Sequence, residues 1–335
     1  MVTQKTIMEN LGVSQSAVSC ALSQDVNLRK QISSELRDRI IKEAKRLNYK
    51  PRRFKKTRTK NIALLDSQNP TSYCHPLLVR SVQACALKSS YLLNHCFYDQ
   101  ETGVPDELLD NIDGIISLEL LSTEEFSAIK SRNIPVVLLN AYDGTNDCDI
   151  ILPDHYAGLK QAVNCLYKLG HRRFAFFGIR DFGPHHAQRY GAFHQIIAEL
   201  DISDQPAIFI PYRKEQSMLD VEDKAKATLR AIAGMKNKPT ALICAVDSYA
   251  LAIIKYAADF GIRIPEDLSV IGFDDTVECE TATPSLSSIT LSLEAMGQVA
   301  TGTLIRRING DADPFVTIKV DLDWIARDSI APPSS

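Results

Sequence analysis

The run TQKTIMENLGVSQSAVSCAL, residues 3–22, constrains this chain most. Thr3 suits the N-cap of a short helix, and Ile7 and Leu11 fall four apart on one face of it. Gly12 follows, where a chain leaving a helix needs a residue that accepts positive φ. Ser14 can cap a second helix, on which Val18, Ala21 and Leu22 face inward while Gln15, Ser16 and Ser19 stay polar and outward. Two short helices closed around a glycine turn form the pattern of a DNA-reading helix-turn-helix, with a plain helical hairpin as the alternative.

The next residues favour the first reading. Ile32, Leu36, Ile40, Ala44 and Leu47 repeat at helical spacing, so a third helix is expected from Ser33 to about Asn48, ended by Tyr49-Lys50-Pro51. RRFKKTRTK, residues 52–60, follows with six basic residues, one aromatic and no acid. Residues 1–60 hold 15 Lys and Arg against 5 Asp and Glu, and the remainder holds 23 against 36. A basic head on an acidic body suits nucleic-acid contact at one end only. The 52–60 segment reads as an arm that places charge on phosphates or in the minor groove.

From Asn61 the pattern changes to apolar strands alternating with helices. Strands are expected at 61–66, 91–98, 113–118, 134–139 and 149–152, then at 173–178, 207–211, 240–246 and 268–273. Helices are expected at 77–89, 123–131, 155–169, 187–200, 219–234 and 248–260. Such alternation implies two parallel sheets, each covered on both faces, with ligands at the carboxyl ends of the strands. The eight cysteines are scattered without metal-type spacing, which suits buried thiols in a reducing compartment. No signal-peptide core is visible, and no apolar run approaches the ~20 residues of a membrane span, so a soluble cytoplasmic protein with no membrane contact is expected. No GxSxG, phosphate loop, zinc motif or paired-carboxylate spacing points to an enzyme, and no cofactor or metal is expected.

Longer motifs now add up. Gly12-Val13-Ser14, Ala17-Val18-Ser19 and Leu47-Asn48-Tyr49 with Pro51 lie in the head. Asp113-Gly114-Ile115-Ile116, Ile134-Pro135-Val136-Val137, Leu169-Gly170-His171-Arg172-Arg173, Arg189 with Phe193, and the run Gly261 to Asp275 (GIRIPEDLSVIGFDD) lie in the body. In this the chain resembles the lac-repressor-like (LacI/GalR) bacterial transcription regulators over nearly its whole length. The resemblance implies an all-α helix-turn-helix headpiece plus an α/β two-lobed periplasmic-binding-protein-like core of two doubly wound parallel sheets. It implies a homodimer on a palindromic double-stranded operator, with a small-molecule effector, most simply a carbohydrate, clamped between the lobes. The expected domains are headpiece 1–50, basic linker 51–60 and core 61–330. Within the core, lobe 1 is expected at about 61–153 and 285–309, and lobe 2 at about 154–284 and 310–330. A solute-binding protein would share the core but not the basic head. A DNA-binding protein whose cleft has lost its ligand is a further alternative.

The resemblance also assigns residues. Thr3, Ser14, Gln15, Ser16, Ser19, Cys20, Gln31 and the arm residues Arg52, Arg53, Lys55 and Lys56 are expected on DNA. Asn69, Tyr73, His75, His185, Arg189, Asp247 and Asp274 are expected around the effector, with His186 beside His185. An arginine fork opposite a carboxylate suits adjacent hydroxyls. The sequence departs from the family in three places. Cys20 replaces a common arginine, so base preference there should differ. The linker is short and lacks the hinge-helix leucine, which leaves a basic, mostly extended arm. Val246 replaces a polar residue before Asp247, and TSYCHP replaces the usual aromatics after Asn69-Pro70. Trp324 reads as packing.

Overall fold

A computed structural model of the chain describes residues 4–22, 32–47, 58–67, 75–98, 103–141, 147–178, 184–200, 202, 208–210 and 221–334. The chain divides into two compact units, Met1–Arg58 and Thr59–Ser335.

In the first unit, α1 (Gln4–Leu11), α2 (Gln15–Leu22) and α3 (Ser34–Arg46) enclose a small core. Gly12 turns the chain at φ +64°, and the Ser14 hydroxyl caps α2 by accepting from the Ala17 amide. Ile7, Val18, Ala21, Ile40 and Ala44 are buried together, with Met8, Leu11 and Leu36 packed against them. The alternation read from the sequence thus closes as a three-helix unit. Ser33 caps α3, and Glu43 ties α3 to α1 by accepting from Asn10 at 2.9 Å.

In the second unit, two six-stranded sheets define two lobes. The strands are β1 (Asn61–Ser67), β2 (Leu92–Tyr98), β3 (Gly114–Ser117), β4 (Val136–Leu139) and β5 (Asp149–Pro153), then β6 (Phe174–Phe177), β7 (Ile208–Ile210), β8 (Ala241–Cys244), β9 (Ser269–Asp274), β10 (Ser287–Thr290), β11 (Thr317–Val320) and β12 (Asp323–Ile325). Lobe 1 has the order β11-β5-β4-β3-β1-β2, and lobe 2 the order β12-β10-β9-β8-β6-β7. All pairings are parallel except β10 with β12. The principal helices are α4 (His75–Lys88), α5 (Asp106–Asp110), α6 (Thr123–Ser131), α7 (His155–Lys168), α8 (Pro184–Glu199), α9 (Val221–Gly234), α10 (Asp247–Tyr256), α11 (Glu278–Thr281) and α12 (Leu293–Ile308). Central strands such as β3, β4, β6 and β8 are buried throughout, as strands covered on both faces require. Each lobe accordingly has two apolar clusters, one on each side of its sheet.

The lobe boundaries differ from expectation at two crossings. β10 pairs with β9 in lobe 2, so the chain leaves that lobe after Thr290 rather than before Ser285. β11 pairs with β5 in lobe 1, so the last crossing follows Val320 rather than residue 309. Both strands are only four residues long, and the pairing that sets their lobe, β10 with the preceding β9 and β11 with the distant β5, is not revealed by local periodicity. Three connections therefore cross between lobes. They are laced together: Asp154 donates its amide to Val320, Ser292 its hydroxyl to Asp321 and Gln161 its side-chain amide to Leu322. A Cβ added to Gly158 would lie 2.9 Å from Ile289 and Leu322, so glycine permits α7 to sit against these crossings. Among the described residues, no helix is long and apolar enough to cross a membrane.

Two carboxylates fix the ends of lobe 1. Asp113 accepts from the Thr59 and Lys60 amides and fastens the start of the core. Asp149 is fully buried and takes two bonds from Arg307, at 2.6 and 2.8 Å, while Arg307 also donates to the Asp313 and Pro314 carbonyls. The pair joins β5, α12 and the approach to β11. Asp149→Asn leaves the Arg307 charge buried without its counter-ion and should cost about 3–5 kcal/mol in urea unfolding of the core.

Candidate effector cleft and headpiece surface

The second lobe presents the carboxyl ends of β6, β8 and β9 to the space between the lobes. Arg189, on α8, is 5% exposed. It donates to the Ala245 carbonyl beyond β8 at 2.5 Å and to Asp274 Oδ1 at the end of β9 at 2.9 Å. Its guanidinium lies 3.7 Å over the Phe273 ring. Two strand ends and a helix are thereby fixed by one side chain, and Arg189 Nε still has no acceptor among the described residues. Asp274 and Asp275 both have positive φ, at +108° and +53°, so the backbone turns sharply as it leaves β9. Burial pushes the Asp274 carboxyl up in pKa, against the lowering by Arg189.

Asp247, at the start of α10, is 1% exposed. It accepts from the Ser288 hydroxyl at 2.6 Å and from the Thr276 amide at 2.8 Å. Ser288 in turn accepts from the Asp275 amide. A Cβ on Gly272 would fall 2.1 Å from Asp247 Oδ1, so β9 passes directly over this carboxylate. Asp247 was expected to meet the effector. The structure instead places it beneath the turn with both oxygens occupied, where it positions Asp274 and ties that turn to β10. Burial raises it to about 6.

Asp274 and Asp275 also line a cleft of about 790 Å³, with Leu77, Arg80 and Ser81 of α4 on the lobe 1 side and Thr290 to Leu293 at the crossing. That volume lies within the range of small-molecule sites. Of the two residues expected around the effector here, Asp274 lines this cleft and Arg189 is bonded to Asp274. Asn69 and Tyr73 lie outside the described residues, as does the side chain of His75.

A histidine that sequence reasoning missed joins this group. His155 opens α7 directly after the capping Asp154, whose side chain accepts from the Ala157 amide. It is 5% exposed, and neither ring nitrogen has a partner among the described residues. Its ring packs edge-on to Phe273 and to His185, with centroids 5.4 and 5.9 Å away. The signal available in the sequence was a histidine at a helix start just past a strand's carboxyl end. His185 and His186 open α8, and His185 reaches across to the backbone at Asn140 in lobe 1. Burial, then the Arg189 charge, lowers the pKa of both to about 4 and that of His155 well below its usual value. No group of three metal-ligating side chains occurs among the described residues.

In the headpiece, Ser14, Gln15 and Ser16 are exposed and Ser19 half-exposed at the start and outer face of α2. Cys20 was expected on that surface and is instead 8% exposed. An uncharged thiol can be covered without hydration loss, unlike the arginine of the family pattern. Thr3, Gln31, Arg52, Arg53, Lys55 and Lys56 lie outside the described residues, and with them the question of a hinge helix.

The comparisons decide the family. The family described as periplasmic binding protein-like domain matches residues 163–330, half of the chain. The NTD biosynthesis operon regulator NtdR of Bacillus subtilis (strain 168) is 28% identical over 326 residues, which are 93% of this chain and 94% of that protein. The HTH-type transcriptional repressor PurR of Pectobacterium atrosepticum is 28% identical, over 99% of this chain and 97% of its own. The chain belongs to the LacI/GalR family of transcription regulators. A crystal structure of the lac repressor dimer bound to operator and the anti-inducer ONPF superposes with a TM-score of 0.67 at 21% identity, over 98% of this chain and 99% of that one. The core of this LacI/GalR member is therefore periplasmic-binding-protein-like and follows a helix-turn-helix unit in the sequence, and the matched proteins are regulators, not enzymes.

The depressed histidines fix a sign for pH dependence. Between pH 4 and the ordinary histidine value of 6.5, the folded core holds fewer protons on His185 and His186 than the unfolded chain does. Their contribution to stability is full above 6.5 and is lost as pH falls toward 4. Asp247, between its ordinary 3.8 and about 6, and Asp274, which burial also raises, act oppositely, two carboxyls against four imidazoles, since burial lowers His155 and His171 as well. The thermal midpoint of the chain should fall from pH 7 to pH 5, and a His185→Gln/His186→Gln variant should show a flatter profile over that range.

Proposed function

We propose that this repressor binds a palindromic operator as a homodimer and that a small polyhydroxylated effector, a sugar or sugar derivative, sets its operator affinity from the cleft between the lobes. Asp274, which lines that cleft, and Arg189, which is bonded to it, carry the reading. A guanidinium with a spare Nε, beside a carboxylate of which it engages one oxygen, is suited to adjacent hydroxyls. Effector contacts at both lobes would bias their spacing, which is the general route from a cleft to a distant interface. The division into headpiece 1–50, linker 51–60 and core 61–330 with two crossing lobes accommodates this.

Dimer formation is supported by apolar side chains on one edge of lobe 1. Leu87 on α4 and Leu92 and Phe97 on the edge strand β2 are 55%, 61% and 65% exposed. Large exposed apolar side chains on an unpaired sheet edge are a liability unless a partner covers them.

On DNA, Gln15 and Ser16 would read base edges, while Ser14, Ser19 and the basic arm with Arg52, Arg53, Lys55 and Lys56 would hold phosphates. Selection of the intact protein against a randomised palindromic duplex tests this. Gln15→Ala should relax preference at one base position per half-site by about 1–3 kcal/mol, leaving the other positions as in the parent. An unaltered preference profile would remove Gln15 from the interface.

A further inference from the structure

We propose that His155, His185 and Arg189 form an oxyanion site, so that the effector carries a carboxylate or phosphoryl group and its binding takes up a proton from solvent. This rests on the effector reading above and narrows its ligand class.

The geometry is specific. His155 begins α7 and His185 follows the first residue of α8, and helices of 14 and 16 residues direct their positive dipole ends toward these starts. The two rings meet 5.9 Å apart. Arg189, one turn along α8 from His185, supplies a permanent charge whose Nε has no acceptor among the described residues. His155 is 5% exposed, and among the described residues both its nitrogens and Nδ1 of His185 have no hydrogen-bond partner. Buried polar atoms without partners are costly, and a bound ligand is the ordinary way to satisfy them.

Asp154, directly before His155, spends its carboxylate on the Ala157 amide, and the charges that act on the His155 ring lean one way. Arg189, His185 and His186 come from α8 and Lys319 from β11, and all of them act on His155 to disfavour its cation. β9 contributes the Phe273 ring and Asp274, whose charge is already taken by Arg189. Asp247 of α10 lies beneath that turn, bonded to Ser288 and Thr276. Without ligand the imidazoles are neutral, each with one N–H and one lone pair. An anion placed among them offsets the Arg189 field and favours imidazolium, which gains a second N–H to donate to it. Since the liganded state holds the extra proton, affinity rises as pH falls, up to about tenfold per pH unit for one coupled proton.

The test uses the intact chain with inorganic phosphate and malonate as minimal probes, NaCl as the ionic-strength control, and glucose, galactose and ribose as neutral sugars. Thermal shift and isothermal calorimetry are run at pH 6 and pH 8, the latter in two buffers of different ionisation enthalpy. Expected is stabilisation by phosphate or malonate beyond matched NaCl, several-fold tighter binding at pH 6, and uptake of about one proton. His155→Gln should lose at least tenfold in anion affinity; the proton count on the unaltered protein is independent of whether that variant folds. Tighter binding of phosphate assigns a phosphoryl group, and tighter binding of malonate a carboxylate. Anion binding without proton uptake, or no more stabilisation than NaCl gives, overturns the proposal. Stabilisation by a neutral sugar together with no anion effect overturns it while leaving the effector reading intact. No response to anion or sugar overturns it and counts against the effector reading as well.

Discussion

The contact on which the cleft depends is the one made by Arg189. A single buried guanidinium joins the backbone after β8, the carboxylate at the end of β9 and the face of Phe273, from a helix that packs across all of them. Charge of this kind is expensive to bury and is tolerated only when its donors are met. Here two of its three nitrogens are met by the protein itself, which fixes the strand ends, and Nε has no acceptor among the described residues. That unmet nitrogen sets the pair apart from Asp149–Arg307, where the carboxylate and three backbone carbonyls at positions 311, 313 and 314 take up the guanidinium.

The support beneath the Asp274 turn reaches the hinge. Asp247 holds the turn through Thr276 and holds β10 through Ser288, and the chain leaves β10 directly into the crossing that enters α12. Gly272 leaves the room this needs. Movement of Asp274 on binding a ligand would therefore be felt at a connection between the lobes, without passing through loose structure. An effector acts only by the difference in its affinity for the two arrangements, so contacts to both lobes matter more than tight binding to one. His185, which starts on lobe 2 and meets the backbone of Asn140 on lobe 1, is already such a contact.

Much of this was legible in the sequence because it is local. Gly12, the capping Ser14 and the spacing of Ile7, Val18 and Ala21 encode the headpiece without reference to anything distant. Buried strands such as FAFF and ALIC announce a parallel sheet by composition alone. What escaped was non-local. The strands β10, β11 and β12 are three or four residues long, and their lobe is set by which strand each pairs with rather than by their own pattern, so the last two crossings were placed wrongly. Asp247 shows the limit of assigning a role by motif: its neighbours in the sequence do not reveal Gly272 and Ser288 pressed against it. His155 shows the converse, a residue without motif that becomes notable only when its unsatisfied nitrogens are seen. Cys20 exchanged a charge for a thiol, and the consequence was burial.

The most direct measurement is the operator-binding isotherm of the intact protein and of Arg189→Met, taken with and without a panel of neutral sugars, sugar acids and sugar phosphates. If the Arg189 cleft is where the effector acts, at least one compound shifts the parent isotherm, and Arg189→Met binds operator within a few-fold of the parent but is unmoved by that compound. An Arg189→Met protein that still responds as the parent does would contradict the account, because the control of DNA binding would then lie elsewhere in the core.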